Sequence, residues 1–205
     1  MKSLFSDSWK SIDNLSSDDV SDLILTGRTM NEMVPDKMHF KHFGDPMYSL
    51  KILDFGCGVG RNTFEMGFSY PHWNITGYDN DQMIFRSSDY YNMHYFSKNF
   101  PQNVTFMSNW DQVKNQKFDT IYCCLVLQHI YEGTLKMYLS DFKKMASKLI
   151  VAGRRFNDDI NHRSTWTILE ENELFPTVFL NGEQIINYNP EGNEEDHNIG
   201  IYYLE

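Results

Sequence analysis

The stretch from Lys51 to Asn62 reads Lys-Ile-Leu-Asp-Phe-Gly-Cys-Gly-Val-Gly-Arg-Asn, and it decides the fold. Its first half, Ile52 to Phe55, is a short, mostly apolar run that is typical of a strand buried in a parallel sheet. Glycines then alternate at positions 56, 58 and 60, so the backbone can turn tightly and approach a ligand closely. Asn62 and Thr63 are predicted to cap a helix that continues to Phe68. The stretch therefore predicts a strand, a glycine turn and a helix whose N-terminus faces a ligand.

The spacing of the glycines separates two kinds of nucleotide site. The dinucleotide pattern G-x-G-x-x-G fails from either start, because Arg61 or Thr63 stands where its last glycine should be. The pattern here is G-x-G-x-G after an aspartate, and it resembles the first motif of class I S-adenosylmethionine-dependent methyltransferases. Their cofactor has an ammonium and a carboxylate but no pyrophosphate. The residues that the resemblance assigns to the amino-acid end of that cofactor are Asp54, Gly56, Cys57, Gly58 and Gly60.

A second strand is predicted from Trp73 to Tyr78, and Asp79 stands at its end. In nucleotide-binding βαβ units, an acid about 20 residues beyond the glycine turn binds the ribose, and Asp79 follows Gly60 at that distance. An aspartate at a strand end otherwise serves as a turn former or a helix cap. The resemblance adds Asn80 against the adenine and Met83 in the opening turn of the next helix.

A third strand is predicted from Val104 to Met107. Just past it, the resemblance places Asn109 where the family usually has an acid that accepts from the adenine amino group. An amide can still accept through its carbonyl. Trp110 is expected to stack on or wall off the purine, and Asp111 is the alternative acid.

The run from Lys117 to Ile130 resembles the family's fourth motif, in which a Phe-Asp pair starts a strand and Leu-x-His begins the next loop. The resemblance puts Cys123 and Leu125 beside the methionine end of the cofactor, where backbone carbonyls can accept from its ammonium. His129 and Tyr131 are the candidates for a catalytic or acceptor-positioning role. For His129, the alternative is a helix-packing or site-wall role.

The remaining pattern completes an alternating α/β chain. A helix is predicted from Gly133 to Met145, followed by a strand from Ser147 to Arg155 and a short helix from Thr165 to Glu171. Two final strands are predicted from Leu174 to Leu180 and from Asn198 to Leu204. The long link between the last two strands leaves room for an additional strand around Glu183 to Tyr188. The fold that the resemblance implies is a doubly wound, Rossmann-like, seven-stranded α/β sheet, mostly parallel with an antiparallel C-terminal strand.

The 205 residues suit one α/β domain with a full core. Residues 1–48 are expected to form an N-terminal helical extension or lid, and residues 49–205 the methyltransferase domain. In the resembling family such an extension packs over the cofactor site, and Arg28 is a candidate partner for the cofactor carboxylate. The simpler alternative is that Trp9, Phe40 and Phe43 only cover an open edge of the domain.

Composition excludes several classes of function. A net charge of −10 argues against a broad face that binds nucleic-acid phosphates. No hydrophobic run approaches the roughly 20 residues that span a bilayer, and the N-terminus lacks the pattern of a signal peptide. We therefore expect a cytoplasmic protein without membrane partners. The three cysteines form no zinc-like pairs, so we expect reduced thiols and no metal site.

Together, these patterns identify the chain as a member of the class I methyltransferases with S-adenosylmethionine as cofactor. In the resembling superfamily, an Asn/Asp-Pro-Pro-Tyr/Phe segment is the signature of enzymes that methylate amino groups of nucleic acids, and a Pro-Cys at the fourth strand end serves attack on a pyrimidine ring. The sequence contains neither motif. Together with the acidic charge, this favours a small molecule or a peptide over nucleic acid as the acceptor. Two alternatives stay open: a non-catalytic protein that binds the cofactor, and an enzyme that cleaves it or transfers another of its groups.

Overall fold

Short apolar runs between turns form the strands of one seven-stranded sheet. In the computed structural model, which describes residues 35–154, 165–185 and 195–204, the strands are β1 (Lys51–Phe55), β2 (Asn74–Tyr78), β3 (Val104–Met107), β4 (Phe118–Cys124), β5 (Ala146–Arg154), β6 (Val178–Ile185) and β7 (Glu195–Tyr203). Their order across the sheet is β3-β2-β1-β4-β5-β7-β6. Strand β7 runs antiparallel to both neighbours and the other six share one direction. The predicted mostly parallel sheet with an antiparallel C-terminal strand is confirmed.

Helices lie on both faces of this sheet. They are α1 (Lys37–Phe40), α2 (Arg61–Ser69), α3 (Asp81–Tyr95), α4 (Trp110–Val113), α5 (Glu132–Met145) and α6 (Thr165–Glu171), and a 3-10 turn spans Leu127–His129. Helix α2 packs on one face through Met66, whereas α5 packs on the other through Leu139 and Phe142. The fold is therefore doubly wound, as predicted.

The period of two along each strand divides the core between the faces. In β1, Ile52 is buried on the α2 face and Leu53 on the α5 face; in β4, Tyr122 and Ile121 divide in the same way. All four side chains have no accessible surface. Full burial of each large apolar side chain contributes about 1.5–3 kcal/mol, and this fixes the register that carries the site residues.

Helix α2 does not begin where the sequence suggested. Gly60 is its N-cap, with a left-handed φ of 87°, and Arg61 is its first residue. The prediction that Asn62 and Thr63 cap the helix is wrong, since both lie inside its first turn. Their side chains instead bond to Asp36 and Asp54, so polar residues that suit a cap are used here to attach the helix to its neighbours.

The last two strands also differ from the prediction. Residues Glu183 to Ile185 continue β6 after an irregularity between Leu180 and Glu183, and they pair with β7. The prediction of a separate strand from Glu183 is therefore wrong for the part that the structure describes. Residues 186–188 lie outside it.

The segment before β1 is part of the core. Phe40 and Phe43 are each 2% exposed, and the Phe43 ring lies 5.9 Å from Trp73 and 5.1 Å from Tyr122, centroid to centroid. These rings cover the α2 face of the sheet, so the expectation that they cover an open edge is wrong. Trp9 and Arg28 lie outside the described residues, and the domain division at residue 48 stays a prediction.

None of the helices in the described ranges has the length and apolar character needed to cross a membrane.

Candidate cofactor site

The site lies at the carboxyl ends of β1 and β4. These two strands are neighbours, and the strand order reverses between them, since β2 and β3 lie on one side and β5 on the other. In open α/β sheets a ligand binds in the crevice outside such a switch point. The glycine turn leaves β1 at this place, and the loop with Leu125 leaves β4 beside it.

The glycine turn has the shape of a cradle. Gly56, Gly58 and Gly60 have φ values of 71°, 60° and 87°, a left-handed region that side chains rarely adopt. A Cβ at Gly56 would lie 2.4 Å from Val126, and one at Gly60 would lie 2.6 Å from Phe106, so protein atoms fill these two directions.

Gly58 differs from the other two glycines. Its nearest neighbour in the Cβ direction is the methyl group of Met83 at 3.4 Å, an ordinary distance for two touching carbon atoms. No protein atom therefore explains the missing side chain by steric conflict. The left-handed φ of 60° is therefore what favours glycine at this position.

Asp79 connects the second motif to the first. Its Oδ2 accepts a hydrogen bond from the Gly58 N–H at 2.8 Å, and its Oδ1 accepts from the Asn80 N–H at 2.7 Å. Each carboxylate oxygen has a second lone pair, so both can still accept from ribose hydroxyls. Desolvation by burial raises the pKa of Asp79 to about 6, although the two backbone donors act in the opposite direction.

Asp54 lies beneath the turn. It is 2% exposed, and its Oδ2 accepts a hydrogen bond from the Thr63 hydroxyl at 2.6 Å, which joins β1 to α2. Burial raises its pKa to about 7, against the lowering effects of the Thr63 hydrogen bond and the Arg61 charge. Asp54 thus supports the cradle from below, and its direct contact with the cofactor stays a prediction.

The residues predicted on the adenine side flank the start of α3. Asn80 is the N-cap of this helix, and its side chain accepts from the Met83 N–H at 3.0 Å. Met83 is 3% exposed and packs below Gly58. Cys57, the residue before Gly58 in the turn, is also buried. The structure brings all three residues to the glycine cradle, and their contacts with adenine stay predictions.

Asn109 and Trp110 have structural roles in this arrangement. Asn109 is exposed and caps α4 by accepting from the Asp111 N–H at 2.9 Å. The Trp110 indole donates to Asp141 at 3.0 Å, and its ring centroid lies 5.1 Å from that of Tyr78 in the core. These contacts account for both side chains without a purine, and the predicted roles toward adenine stay predictions.

Leu125, the residue directly after β4, has an unusual backbone conformation. Leu125 has a φ of 57°, and its N–H donates to the Ala152 carbonyl at 2.9 Å. A left-handed residue other than glycine costs about 1–2 kcal/mol, and such strain collects at functional sites. Cys123 is fully buried in the core on the α5 face, so only its backbone can serve the cofactor.

The two catalytic candidates follow on the same segment. His129 is half-buried at the end of the 3-10 turn, and Tyr131 is 66% exposed at the N-cap of α5. Both stand after the carboxyl end of β4, but neither makes a described hydrogen bond to the glycine turn. Their roles stay predictions.

Sequence reasoning missed a buried polar cluster next to the cradle. The Arg61 guanidinium lies 2.6 Å from the Asp36 carboxylate, and the Cys124 thiol donates to Asp36 at 3.3 Å. Asp36 lies 25 residues before Arg61, so no local sequence pattern connected the two residues. The one signal in the sequence that could have indicated this cluster was the arginine directly after the third glycine.

The same cluster has donor atoms of Asp36, His39 and Cys124 within 4.8 Å of one another, a spacing that a metal ion could use. The Arg61 charge already compensates Asp36, however, and burial raises the pKa of the Cys124 thiol well above its usual value, which opposes the thiolate that a metal needs. We interpret the cluster as an ion-pair network.

Comparison with known proteins agrees with this geometry. Residues 53–148 match the family model of a methyltransferase domain. No curated protein matches the sequence.

Solved structures match the fold at low identity. One from a study of the conversion of a disulfide bond into a thioacetal group during echinomycin biosynthesis has a TM-score of 0.62 at 11% identity, covering 92% of this chain and 93% of its own. The N-terminal domain of EvdMO1 with S-adenosylhomocysteine bound has a TM-score of 0.55 at 13% identity, covering 90% and 84%. TehB from Haemophilus influenzae has a TM-score of 0.53 at 12% identity, covering 93% and 68%.

The glycine cradle, the carboxylate at the end of β2 and the strand order are those expected of this fold, and the family model covers the stretch from β1 into β5. S-adenosylmethionine is the cofactor that such a domain implies. Residues 53–148 match the model of a methyltransferase domain, and the described residues have the doubly wound, seven-stranded, Rossmann-like fold of these methyltransferase structures.

Proposed function

We propose that this protein binds S-adenosylmethionine in the glycine cradle and transfers its methyl group to a small molecule or a peptide. The observation that carries the proposal is the hydrogen bond from the Gly58 N–H to the Asp79 carboxylate, which joins the carboxyl ends of β1 and β2 beside the switch point between β1 and β4. It joins the left-handed turn after β1 to a carboxylate after β2, and a nucleoside with an amino-acid end would use both groups.

Each end of the ligand has a partner in this arrangement. Asp79 accepts from the ribose hydroxyls, and a carboxylate paired with two hydroxyls gives strong, charge-assisted hydrogen bonds. The glycine turn and the N-terminus of α2 receive the carboxylate of the methionine end, where helix N–H groups favour an anion. The strained backbone at Leu125 turns the end of β4 toward the same place and offers carbonyls to the ammonium.

The chemistry demands little from the protein beyond alignment. When bound, the cofactor supplies a methyl group on a positively charged sulfur, which is already a strong electrophile. The chain's own contribution is to hold the acceptor atom in line and to exclude water, and such positioning can account for several kcal/mol of the barrier. A base is needed only if the acceptor must lose a proton, and His129 and Tyr131 are our candidates for that role.

The proposal of a small molecule or peptide as acceptor rests on charge. The chain carries 28 acidic against 18 basic residues, which disfavours a nucleic acid. Cys57, Cys123 and Cys124 are free thiols, which supports our proposal of a reducing, cytoplasmic environment.

Calorimetric titration with S-adenosylmethionine, S-adenosylhomocysteine and NAD tests the cofactor assignment. We expect micromolar binding of both adenosyl ligands and none of NAD, because Arg61 stands where a dinucleotide site needs glycine. Absence of binding to all three would contradict the proposal and favour a fold that serves only protein contacts.

Product analysis then tests the reaction. Methyl transfer yields S-adenosylhomocysteine only when an acceptor is present, so incubation with metabolite and peptide pools should produce it and incubation alone should not. Breakdown of the cofactor without an acceptor would instead show a cleaving enzyme. Binding without turnover in any pool would favour the non-catalytic alternative.

A further inference from the structure

A cavity lies at the edge of the sheet opposite the cofactor site. It is bordered by the C-terminal half of α2, by Asn74 at the start of β2 and by the link between α3 and β3. The lining residues are Gly67, Phe68, Pro71, Asn74, Asn99, Pro101, Gln102 and Asn103. We call it the amino-edge cavity, because it lies where β2 and β3 begin.

The amino-edge cavity is separate from the glycine cradle. Asn74 is the first residue of β2, whereas Tyr78 is its last and precedes Asp79 of the cofactor site. A strand of this length places its two ends about 13 Å apart. The volume of the cavity is about 430 Å³, and it is open to solvent. Ligand sites commonly measure roughly 300–1,000 Å³, so a small molecule fits here.

Hydrogen bonds between the borders hold the walls of the cavity in place. The Asn103 side-chain amide donates to the Tyr70 carbonyl at 3.1 Å and to the Trp73 carbonyl at 2.9 Å. The Asn103 carbonyl accepts from the Ile75 N–H at 2.9 Å, and the rings of Tyr70 and Trp73 stack at 3.8 Å between centroids. The link before β3 is thus attached to the turn after α2, and a ligand would meet a preformed site.

The polar groups of the cavity are carboxamides. Both partners of the Asn103 nitrogen are carbonyl oxygens, so both N–H groups of this amide are used and its own oxygen is what it can offer a ligand. The Gln102 nitrogen donates to the Phe100 carbonyl at 3.3 Å. Asn74 and Asn99 are exposed, and their side chains make no hydrogen bond to another described residue.

The chemistry of the lining narrows the class of ligand. None of the eight lining residues is ionisable, so neither an anion nor a cation finds a countercharge among them. The Lys98 ammonium lies 4.5 Å from the centroid of the Phe68 ring, but Lys98 is not part of the lining. A wholly apolar molecule would take water from the carboxamides and leave them without partners, which is unfavourable. The ligand that fits is neutral and rich in groups that both donate and accept.

We propose that the amino-edge cavity binds a saccharide of one or two sugar units. Sugar hydroxyls donate to carboxamide oxygens such as that of Asn103 and accept from N–H groups such as those of Asn74 and Asn99. The C–H face of a sugar ring packs on the apolar part of the lining, formed by Phe68 and two prolines. Cofactor binding is not required for this second site.

Proton–nitrogen correlation spectra of the full, ¹⁵N-labelled chain test this site. The probes are glucose, galactose, N-acetylglucosamine and maltose, with inorganic phosphate and cyclohexanol as counter-probes. At least one sugar should shift the signals of Gly67 and Asn103 with a dissociation constant in the low millimolar range. The signals of Gly58 and Asp79, at the opposite edge of the sheet, should stay in place.

Two substitutions of exposed carboxamides test the contacts. Asn74→Ala and Asn99→Ala should each raise the dissociation constant of that sugar about three- to tenfold, because each removes hydrogen bonds to hydroxyls. The matched control is Asn92→Ala, which removes an exposed carboxamide of α3 outside the cavity and should change nothing. All three positions are exposed, so the variants should keep the stability of the wild type.

Three results would overturn the inference. The first is the absence of shifts at the cavity with every sugar, or shifts at Gly58 and Asp79 in their place, which would make the sugar a ligand of the cofactor site. The second is equal or tighter binding of phosphate or cyclohexanol in the cavity. The third is the same loss of sugar affinity in Asn92→Ala as in the two cavity variants. Titration of the same samples with S-adenosylhomocysteine tests the proposed function independently.

Discussion

The Gly58 N–H donates to the Asp79 carboxylate at 2.8 Å, and this bond joins two motifs that lie 21 residues apart in the chain. Parallel pairing of β1 with β2 makes the bond possible, since Phe55 and Tyr78 are register partners at the ends of the two strands. One side chain thus shapes the glycine turn and faces the expected ribose.

Asp79→Ala should weaken binding of S-adenosylhomocysteine about ten- to a hundredfold. The substitution removes a charged acceptor for the ribose hydroxyls, a loss of about 1.5–3 kcal/mol. Calorimetric titration measures it. Asp81→Ala is the matched control, because Asp81 is an exposed carboxylate in the first turn of the neighbouring helix. Equal effects of the two substitutions would reduce the role of Asp79 to general charge.

Gly58→Val should abolish cofactor binding, because the branched side chain would crowd the buried Met83, whose methyl group lies 3.4 Å from the Cβ position, and would displace the turn. Its left-handed φ of 60° adds a conformational cost of about 1–2 kcal/mol for any residue with a Cβ. Titration of the folded variant is the measurement. Retained affinity would show that the turn is structural only.

Gly56→Ala provides the contrast to that substitution. Its Cβ would lie 2.4 Å from Val126, so the loss should appear first as a lower free energy of unfolding in urea. Gly58→Ala should lose less stability, since its Cβ meets only Met83 at 3.4 Å. The reverse order of stabilities would contradict this description of the cradle.

Cofactor affinity should fall as the pH drops below about 6. Burial raises the pKa of Asp79 to about 6, and the ribose hydroxyls bind the ionised carboxylate better than the protonated one. The dissociation constant should rise by up to about tenfold for each pH unit below this value. Titrations between pH 4.5 and pH 8 test it, in roughly half-unit steps. Asp79→Asn should flatten the profile, and an unchanged slope in that variant would assign the titration to another group.

Asp54→Asn should stabilise the protein at neutral pH. Burial raises the pKa of Asp54 from 3.8 to about 7, so the folded state holds the proton more tightly than the unfolded state. The free energy of unfolding therefore falls as the pH rises from about 4 to about 7. The amide keeps the acceptor for Thr63 without the charge, and a gain of about 1–4 kcal/mol is expected at pH 7.

The gain in Asp54→Asn should nearly vanish near pH 3, about one unit below the usual pKa of 3.8, where the carboxyl is protonated in both states. Urea unfolding at the two pH values checks this sign. A variant that is less stable than the wild type at pH 7 would show that the Asp54 charge is stabilised by its surroundings.

At position 125 glycine should be more stable than alanine, the reverse of the usual order. Leu125 has a φ of 57°, which glycine adopts freely and alanine does not. Leu125→Gly and Leu125→Ala lose nearly the same side chain, so their difference, about 1 kcal/mol in favour of glycine, reports the backbone strain. Urea unfolding of the two variants measures this difference, and equal stabilities would show that the backbone at position 125 is not strained.

The sequence by itself determined the alternation of strands and helices and the cofactor half of the site. Local periodicity predicted strands β1 to β5. The glycine motif from Gly56 to Gly60 and Asp79, about 20 residues further on, could be predicted as one site because the local geometry of a βαβ unit sets the spacing between them. Helix α2 was predicted in the right place, although its cap was assigned to Asn62 and Thr63 rather than to Gly60.

Only the tertiary structure decided how side chains distant in the chain share one site. The Asp36 pairing with Arg61, the Asp54 bond to Thr63 and the contacts of Trp110 with the core depend on packing across the sheet, for which the sequence carries no local period. Cap-forming residues such as Asn62 were also used for these longer contacts. Burial then raised the pKa of Asp54 and Asp79, because desolvation depends on the whole surrounding fold.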